Sequence, residues 1–465
     1  MFNFSKQQII AKSSEGNLSG TDLSEIIKLF GENIPPRSFV FLMCSNTIGA
    51  LGGYLGFIEN KIVPVMLDAS MDSLLLKNLL QIYNPEYIWL PESQVQKSEL
   101  WNSWDRIMSI FQYVLLKNIY VTEPYHLNKE LALLLTTSGS TGSPKFVKVS
   151  YKNIKSNACS IAEYLELTDR ERPITSLPMH YSYGLSVINS HLIKGATILL
   201  TDKSIMEKDF WTFFKEQEAT SIAGVPYTYQ MLKRLRVQRM ELPSLRTLTQ
   251  AGGKLSPELV GEFAQWAKNT GRRFVVMYGQ TEATARMSYL PWDKTIDKSS
   301  SIGVPIPGGD LYIIGDEGEM ILEPNVAGEL IYRGDNVTMG YAETVADLYK
   351  DDENEGVLHT GDIAQFDEEG YFYIVGRLKR FVKIFGNRIN LDQTEQIAKQ
   401  LYPECACIGT DDKIIIYVTD ADITQEMRSY ISVKLGIHSS AIEVKVIDEI
   451  PKNSSGKVQY SQLVL

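Results

Sequence analysis

The residues best suited to chemistry stand in TTSGSTGSPK, Thr136 to Lys145, between the apolar, β-prone runs LALLL and FVKVS. Six of these ten residues are Ser or Thr, two are Gly, and the last is Lys. Hydroxyls, bare glycine amides and a terminal lysine suit the β- and γ-phosphates of a nucleotide. This is not the GxxxxGK[ST] loop that opens a helix, because Gly139 and Gly142 are three apart and Lys145 lies between Pro144 and Phe146. Ser/Gly/Thr loops are also ordinary surface connections, so composition alone leaves both readings open.

The order of further motifs narrows the choice. YGQTEAT (Tyr278–Thr284), GELIYRGDNVTMGY (Gly328–Tyr341), HTGDIAQFDEEGYFYIVGR (His359–Arg377), RLKRFVKIFG and PKNSSGKV (Pro451–Val458) follow the loop along the chain. Together the six segments resemble, in order and separation, the signatures of the adenylate-forming superfamily: acyl- and aryl-CoA synthetases, luciferases and peptide-synthetase adenylation domains. The resemblance covers nearly all of the chain from about residue 130; the first 130 residues carry a compatible pattern but no motif.

The resemblance implies that a carboxylate attacks the α-phosphate of ATP, expels pyrophosphate and leaves an acyl-adenylate, with transfer to a thiol to follow. Both reactants are negative, so positioning and cations supply most of such catalysis. It implies a phosphate-gripping role for Thr136, Thr137, Ser138, Gly139, Ser140, Thr141, Gly142 and Lys145. Glu282 would hold Mg²⁺, Thr281 touch the α-phosphate, and Tyr278, followed by Gly279, stack on adenine. Asp362 and Arg377 would hold the ribose. Lys457 would stabilise charge between the carboxylate and the α-phosphate. Lys379 maps to the pivot about which the small domain turns between half-reactions, and Gly386 to the thiol channel. Taken singly, Glu282 reads as a surface charge, Asp362 as a turn residue and Lys457 as a tail lysine; only their joint pattern carries these roles.

LPMHYSYGLS, Leu177 to Ser186, resembles the P-M-F-H-x-Y-G-L segment of the acyl- and aryl-CoA ligases. It places His180, Tyr181, Tyr183 and Gly184 along the acid pocket, with His180 where relatives carry an aromatic residue and Tyr181 where they carry histidine. GVPYTYQML adds Pro226, Tyr227 and Tyr229, the two tyrosines serving as pocket wall or as packing; QAGGKLS adds Gly252 and Gly253, glycines that let backbone approach adenine and substrate. Amino-acid-activating relatives carry an aspartate in the first of these segments. No acidic residue stands between Leu177 and Ile193, which argues against an α-amino acid unless a carboxylate comes from elsewhere. Two further departures are Val276, where many relatives place a polar partner for the adenine amino group, and GNRINLDQTEQ, where Asn390 and Thr394 replace the usual Glu and Ile. The acceptor is thus CoA or the phosphopantetheine of a separate carrier protein. The rival readings are an amino-acid adenylating enzyme that loads a carrier, and a nucleotide-binding regulator without turnover.

Several elements must position these residues. ALGGYLGFIEN then KIVPVML, DFWTFFKEQEA then SIAGVP, and ELVGEFAQWAKNTG then RRFVVMYG each read as a helix leading into a short apolar strand. That pattern predicts parallel sheets covered by helices. Near residue 300 the chain alternates and turns quickly, as a β-rich section does. After a basic, hinge-like run, DQTEQIAKQLY, KIIIYVTD, TQEMRSYISVKL and IEVKVID predict a small α+β domain. The expectation is an α/β protein: a large N-terminal AMP-binding domain, residues 1–377, of parallel-rich sheets flanked by helices plus a β-rich subdomain, and a mobile α+β C-terminal domain, residues 378–465.

Bulk properties bound the partners. With 465 residues the chain is long enough for two or three domains. Its net charge is -10 and it has no basic stripe, which argues against nucleic acid. Four cysteines make no disulfide framework, and the Cys405–Cys407 pair lacks the second pair or nearby histidine of a zinc site, so it reads as strand. The most apolar stretch is broken by Glu59, Asn60 and Lys61, and the N-terminus lacks the apolar core of a secretion signal. The expectation is a cytoplasmic protein with no membrane span, using ATP and Mg²⁺ on a small carboxylic acid.

Overall fold

The computed structural model describes residues 2–95, 99–136, 145–385, 387–410, 413–452 and 458–463; for Glu99, Lys379, Phe381, Lys383, Asn387, Arg388 and Ser461 it describes the backbone alone. The chain forms two compact units. One comprises Met1–Ser300, Pro305–Asp310 and Arg333–Leu358; the other Ser301–Val304, Leu311–Tyr332 and His359–Leu465. The second unit thus reaches upstream of residue 378 by including the β-rich section.

The first unit contains two large sheets. In one, Pro173–Ile174, Ser221–Gly224, Thr247–Gln250 and Arg273–Tyr278 run parallel, and Ser288–Leu290 adds an antiparallel neighbour. In the other, Tyr87–Pro91, Phe39–Cys44, Val63–Asp68 and Leu131–Thr136 run parallel, with antiparallel Phe146–Ser150 beyond. Runs such as FVFLMC are buried at every position, as strands covered on both faces must be. The helix Ile48–Glu59 is buried from Ile48 through Ile58 and packs against strands of both sheets. An all-round apolar sequence suits only such a place. The three helix–strand pairs read from sequence fold as such.

In the second unit residues 362–366 pair antiparallel with Phe372–Arg377. The three-stranded sheet Cys405–Thr410, Lys413–Val418 and Ile442–Val446 packs with the helices Leu391–Leu401 and Thr424–Leu435 around one core. Cys405 and Cys407 are buried strand residues, and burial pushes the Cys405 thiol up to about 12. Among the described residues no group of three or more His, Cys, Asp or Glu could hold a metal ion.

The basic run is less of a linker than its composition suggests. Leu378–Arg380 forms a single 3-10 turn, and Phe381–Ile384 pairs with Asn387–Asn390 as a two-stranded ladder. Among the described residues no helix is long and apolar enough to cross a membrane.

Candidate active site

The YGQTEAT segment begins where a parallel strand ends. Arg273–Tyr278 delivers Tyr278, and the chain then folds back so that the Met287 amide donates to the Tyr278 carbonyl at 2.9 Å. Gly279 makes the reversal possible: a Cβ there would lie 1.8 Å from the Ala285 carbonyl oxygen. After the 3-10 turn Thr281–Ala283, Thr284 sits at φ 64°, ψ -57°. Such a conformation costs a β-branched residue about 1–3 kcal/mol, so its surroundings must impose it. The Thr284 hydroxyl donates to the Asn336 carbonyl at 2.7 Å, and Asn336 Nδ2 donates to the carbonyls of Ala283 and Arg286 at 2.9 and 2.8 Å.

The turn presents Thr281 and Glu282. Thr281 is buried, its hydroxyl 3.2 Å from that of Ser182 at the start of the helix Ser182–Leu192. The Thr338 amide and hydroxyl both donate to the Glu282 carbonyl at 2.9 Å. The Glu282 carboxylate accepts the Tyr341 hydroxyl at 2.7 Å. Burial, with Glu282's charge beside it, pushes the Tyr341 phenol well up, so it stays a donor. Lys145 Nζ lies 3.5 Å from the centroid of the Tyr341 ring and 3.9 Å from a Glu343 carboxylate oxygen. The end of the phosphate-type loop, YGQTEAT and the end of GELIYRGDNVTMGY therefore meet at Tyr341. Ser150 caps the helix Tyr151–Tyr164 in a box with Asn153, whose Nδ2 also donates to the carbonyls of Asp335 and Val337, tying down the approach to Tyr341. Sequence reasoning did not single out Tyr341; the aromatic residue closing that motif was the available signal.

Thr136 ends its strand opposite Phe146. Thr137, Ser138, Gly139, Ser140, Thr141, Gly142, Gly386 and Lys457 lie outside the described residues, as does the Lys379 side chain.

On the acid side, Gly252 has φ 82°, and a Cβ on it would lie 2.6 Å from the Tyr181 hydroxyl, so glycine brings the chain against that ring; Gly253 follows, exposed. Tyr183 is buried, its hydroxyl 2.9 Å from that of Thr249, and Gly184 is buried in the same helix. Pro226 opens the helix Pro226–Arg234, and Tyr227 is 49% exposed on it. Tyr229 is packing: fully buried, it donates to the Thr249 carbonyl at 2.8 Å and meets Phe263 and Phe274 edge-on. His180 Nε2 lies 3.9 Å from the carboxylate of Asp68, a residue not singled out from sequence because it closes a distant strand. Burial lowers the His180 pKa and Asp68 works against that.

In the second unit Asp362 and Arg377 are cross-strand partners, and Arg377 Nε donates to the buried Asp362 carboxylate at 3.1 Å. Arg380, three residues on, pairs with Asp392 and Glu395 and stacks on Tyr460 at 3.8 Å. Lys379 thus stands between two anchored arginines. Asn390, where relatives carry Glu, caps the helix Leu391–Leu401 by accepting from the amides of Asp392 and Gln393.

Residues 31–342 match the family described as AMP-binding enzyme, and the chain belongs to that family. A feruloyl-CoA synthase from Amycolatopsis sp. is 29% identical over 349 residues, covering 71% of this chain and 68% of that protein. An oxalate–CoA ligase from Arabidopsis thaliana is 29% identical over 345 residues, covering 70% and 66%. The o-succinylbenzoate CoA synthetase of Bacillus subtilis, solved with ATP and magnesium ion, superposes with a TM-score of 0.77 at 21% identity, over 98% of this chain and 96% of that one. This last likeness establishes a shared fold.

Proposed function

We propose that this chain is an ATP-dependent carboxylic acid ligase, which joins a carboxylate to the α-phosphate of ATP, releases pyrophosphate and then passes the acyl group to a thiol. The observation that carries the reading is the meeting of Lys145, Tyr341 and Glu282 beside Thr281, in a chain of the AMP-binding enzyme family. It brings a cation, a carboxylate and hydroxyl donors together where a nucleotide's phosphates need them.

The donor set suits Mg²⁺. Glu282 is one hard oxygen ligand on a rigid turn, and Mg²⁺ takes one or two carboxylates and fills its shell with phosphate oxygens and water. When bound, the ion neutralises phosphate charge. The residues of the chain do the rest. Tyr341 fixes the Glu282 carboxylate. Thr281 orients the α-phosphate, while Thr136 and Lys145, with Thr137, Ser138, Gly139, Ser140, Thr141 and Gly142, retain the pyrophosphate side. Tyr278 and Gly279, with Gly252 and Gly253, bound the adenine. Asp362, steadied by Arg377, accepts the ribose hydroxyls. Lys457 stabilises the charge that builds between acid and phosphate, and Lys379 is the pivot that afterwards brings Gly386 to the thiol. The names of the relatives favour CoA as acceptor over a carrier protein.

The test is acid-dependent ATP–pyrophosphate exchange without thiol, followed by thioester formation with CoA. Glu282→Gln should lower exchange by at least about 100-fold while ATP still binds, because the change removes charge stabilisation of the transition state. Unchanged exchange in that variant would remove Glu282 from the site. ATP binding with no acid-dependent exchange across aliphatic, aromatic, hydroxy and amino acids would sink the ligase reading.

A further inference from the structure

Arg286 lies two residues past YGQTEAT, and its backbone is fixed by that turn. Its carbonyl accepts from Asn157 Nδ2 at 3.0 Å and from Asn336 Nδ2 at 2.8 Å. The residue is 3% exposed, so its guanidinium is buried. It lies 3.7 Å from the centroid of the Tyr183 ring, and its Nε has no hydrogen-bond partner among the described residues. Its side chain hydrogen-bonds the Tyr164 phenol, and no carboxylate among the described residues pairs with it: Glu171, which lines the same cavity, is engaged instead by the Thr220 hydroxyl at 2.7 Å and by Arg246 at 3.4 Å. The surrounding phenols of Tyr164, Tyr181 and Tyr183 are pushed up by burial, against Arg286's own pull, and so remain neutral. A buried cation without an anion is costly, and a buried donor without an acceptor more so.

Arg286 lines a cavity of about 20 Å³ between the parallel strands and one face of the helix Ser182–Leu192. Tyr183, Ser186, Val187, Ser190 and His191 follow that face at helical spacing. One water-sized group occupies roughly 10–15 Å³ by this measure, so the space suits one small polar group. A second orphan points to the same need. His191 is 3% exposed, its Nδ1 is engaged with the Val187 carbonyl at 2.8 Å, and its buried Nε2 has no partner among the described residues. The helix that carries this face begins at Ser182, whose hydroxyl lies against Thr281. The cavity thus lies along the helix whose first residue touches Thr281.

We propose that Arg286 determines specificity by binding a second carboxylate at the far end of the acid, so that the substrate is a compact dicarboxylic acid. This rests on the ligase reading and adds to it the substrate class. A guanidinium offers several donors in a fork that matches a carboxylate.

The experiment is pyrophosphate exchange with acids of four to eight carbons in matched sets that differ only at the far end. Hexanoate, 6-aminohexanoate and adipate form one set, butyrate and succinate another. At one length at least, the wild-type protein should favour the diacid over the monoacid by about 100-fold in kcat/KM, mostly through KM, as for a charge paired in a buried pocket. Arg286→Met should erase the preference, and Arg286→Lys should keep part of it. Melting temperature and ATP binding check that the variants fold. The wild-type ratio decides the matter if Arg286→Met does not fold. Monoacids used as well as diacids at every length, or a preference that survives Arg286→Met, would overturn the proposal and leave the ligase reading standing. Exchange with no acid at all would remove both.

Discussion

Arg286 and Arg380 form a natural pair. Each guanidinium is withdrawn from water and stacked on a tyrosine, at 3.7 Å from Tyr183 and 3.8 Å from Tyr460. Arg380 is surrounded by acceptors. It pairs with Asp392 and Glu395, and Glu395 also accepts from Lys399 at 2.5 Å, the Tyr460 hydroxyl at 3.0 Å and the Cys407 amide at 2.9 Å. Lys148, a fully buried lysine of the first unit, likewise has Glu353 at 3.1 Å. Only Arg286 of these three has no carboxylate among the described residues. A cation whose charge is answered within the fold holds the fold together. One left unanswered is set aside for something that arrives.

The difference is sharpest in stability. Arg380→Met leaves the buried Glu395 with Lys399 alone and the half-buried Asp392 without its cation, a change that destabilises by up to about 3 kcal/mol. Native-state hydrogen exchange should show the helix Leu391–Leu401 losing protection on that scale. Arg286→Met strands no carboxylate and removes only neutral contacts to Tyr164 and Tyr183, so protection in the helix Ser182–Leu192 should change by no more than about 1 kcal/mol, while the diacid preference collapses. Equal losses at the two places would make Arg286 a structural cation and erase the contrast.

His191 probes the same cavity through pH. Burial lowers its pKa from 6.5 to about 4. Above pH 6.5 folded and unfolded chains are both neutral at this site. Between 6.5 and 4 the unfolded chain binds a proton that the folded chain does not, so stability falls as pH falls through that window. The full effect is on the order of 3 kcal/mol. Denaturant melts of wild type and His191→Gln from pH 7 to 4 should diverge over this range, the variant losing less. Parallel curves would mean that His191 finds a proton acceptor in the fold.

The same contrast marks what could be read from the sequence. The residues proposed for the nucleotide stand out in the sequence because they are concentrated in short motifs: Thr281 and Glu282 in YGQTEAT, and Asp362 and Arg377 in HTGDIAQFDEEGYFYIVGR. Helix–strand alternation likewise gave the parallel sheets, since 3.6-residue periods leading into continuous apolar runs have few other uses. The acid side was not legible. Arg286 lies just beyond its motif in the apolar context ARMSYL, and nothing local says that its charge goes unanswered. Asp68 reaches His180 from a strand more than a hundred residues away. The basic run after Gly376 read as hinge-like because charge dominates its composition, whereas Val382 and Ile384 are buried two residues apart on a strand that pairs as a ladder. Tyr341 fell inside a recognised motif, yet its partnership with Glu282 and Lys145 exists only in three dimensions.

Asn390 gives the smallest effect and a test of how far an answered polar group matters. Its Oδ1 accepts from the amides of Asp392 and Gln393 at 2.8 and 3.2 Å, and its Nδ2 donates to the Val375 carbonyl at 2.9 Å. The fit is close, since a Cβ on Gly376 would lie 2.1 Å from that Nδ2. Asn390→Ala loses both sets of bonds and should cost about 1 kcal/mol, the ordinary worth of an N-cap. Asn390→Asp keeps the cap, and its charge suits the helix N-terminus, but it places a carboxylate oxygen against the Val375 carbonyl. If the cap alone matters, the Asp variant should be as stable as wild type. If the bond to Val375 matters equally, Asp should fall beside Ala. The second outcome would mean that Asn390 serves as much to tie the helix Leu391–Leu401 to the strand Phe372–Arg377 as to cap it.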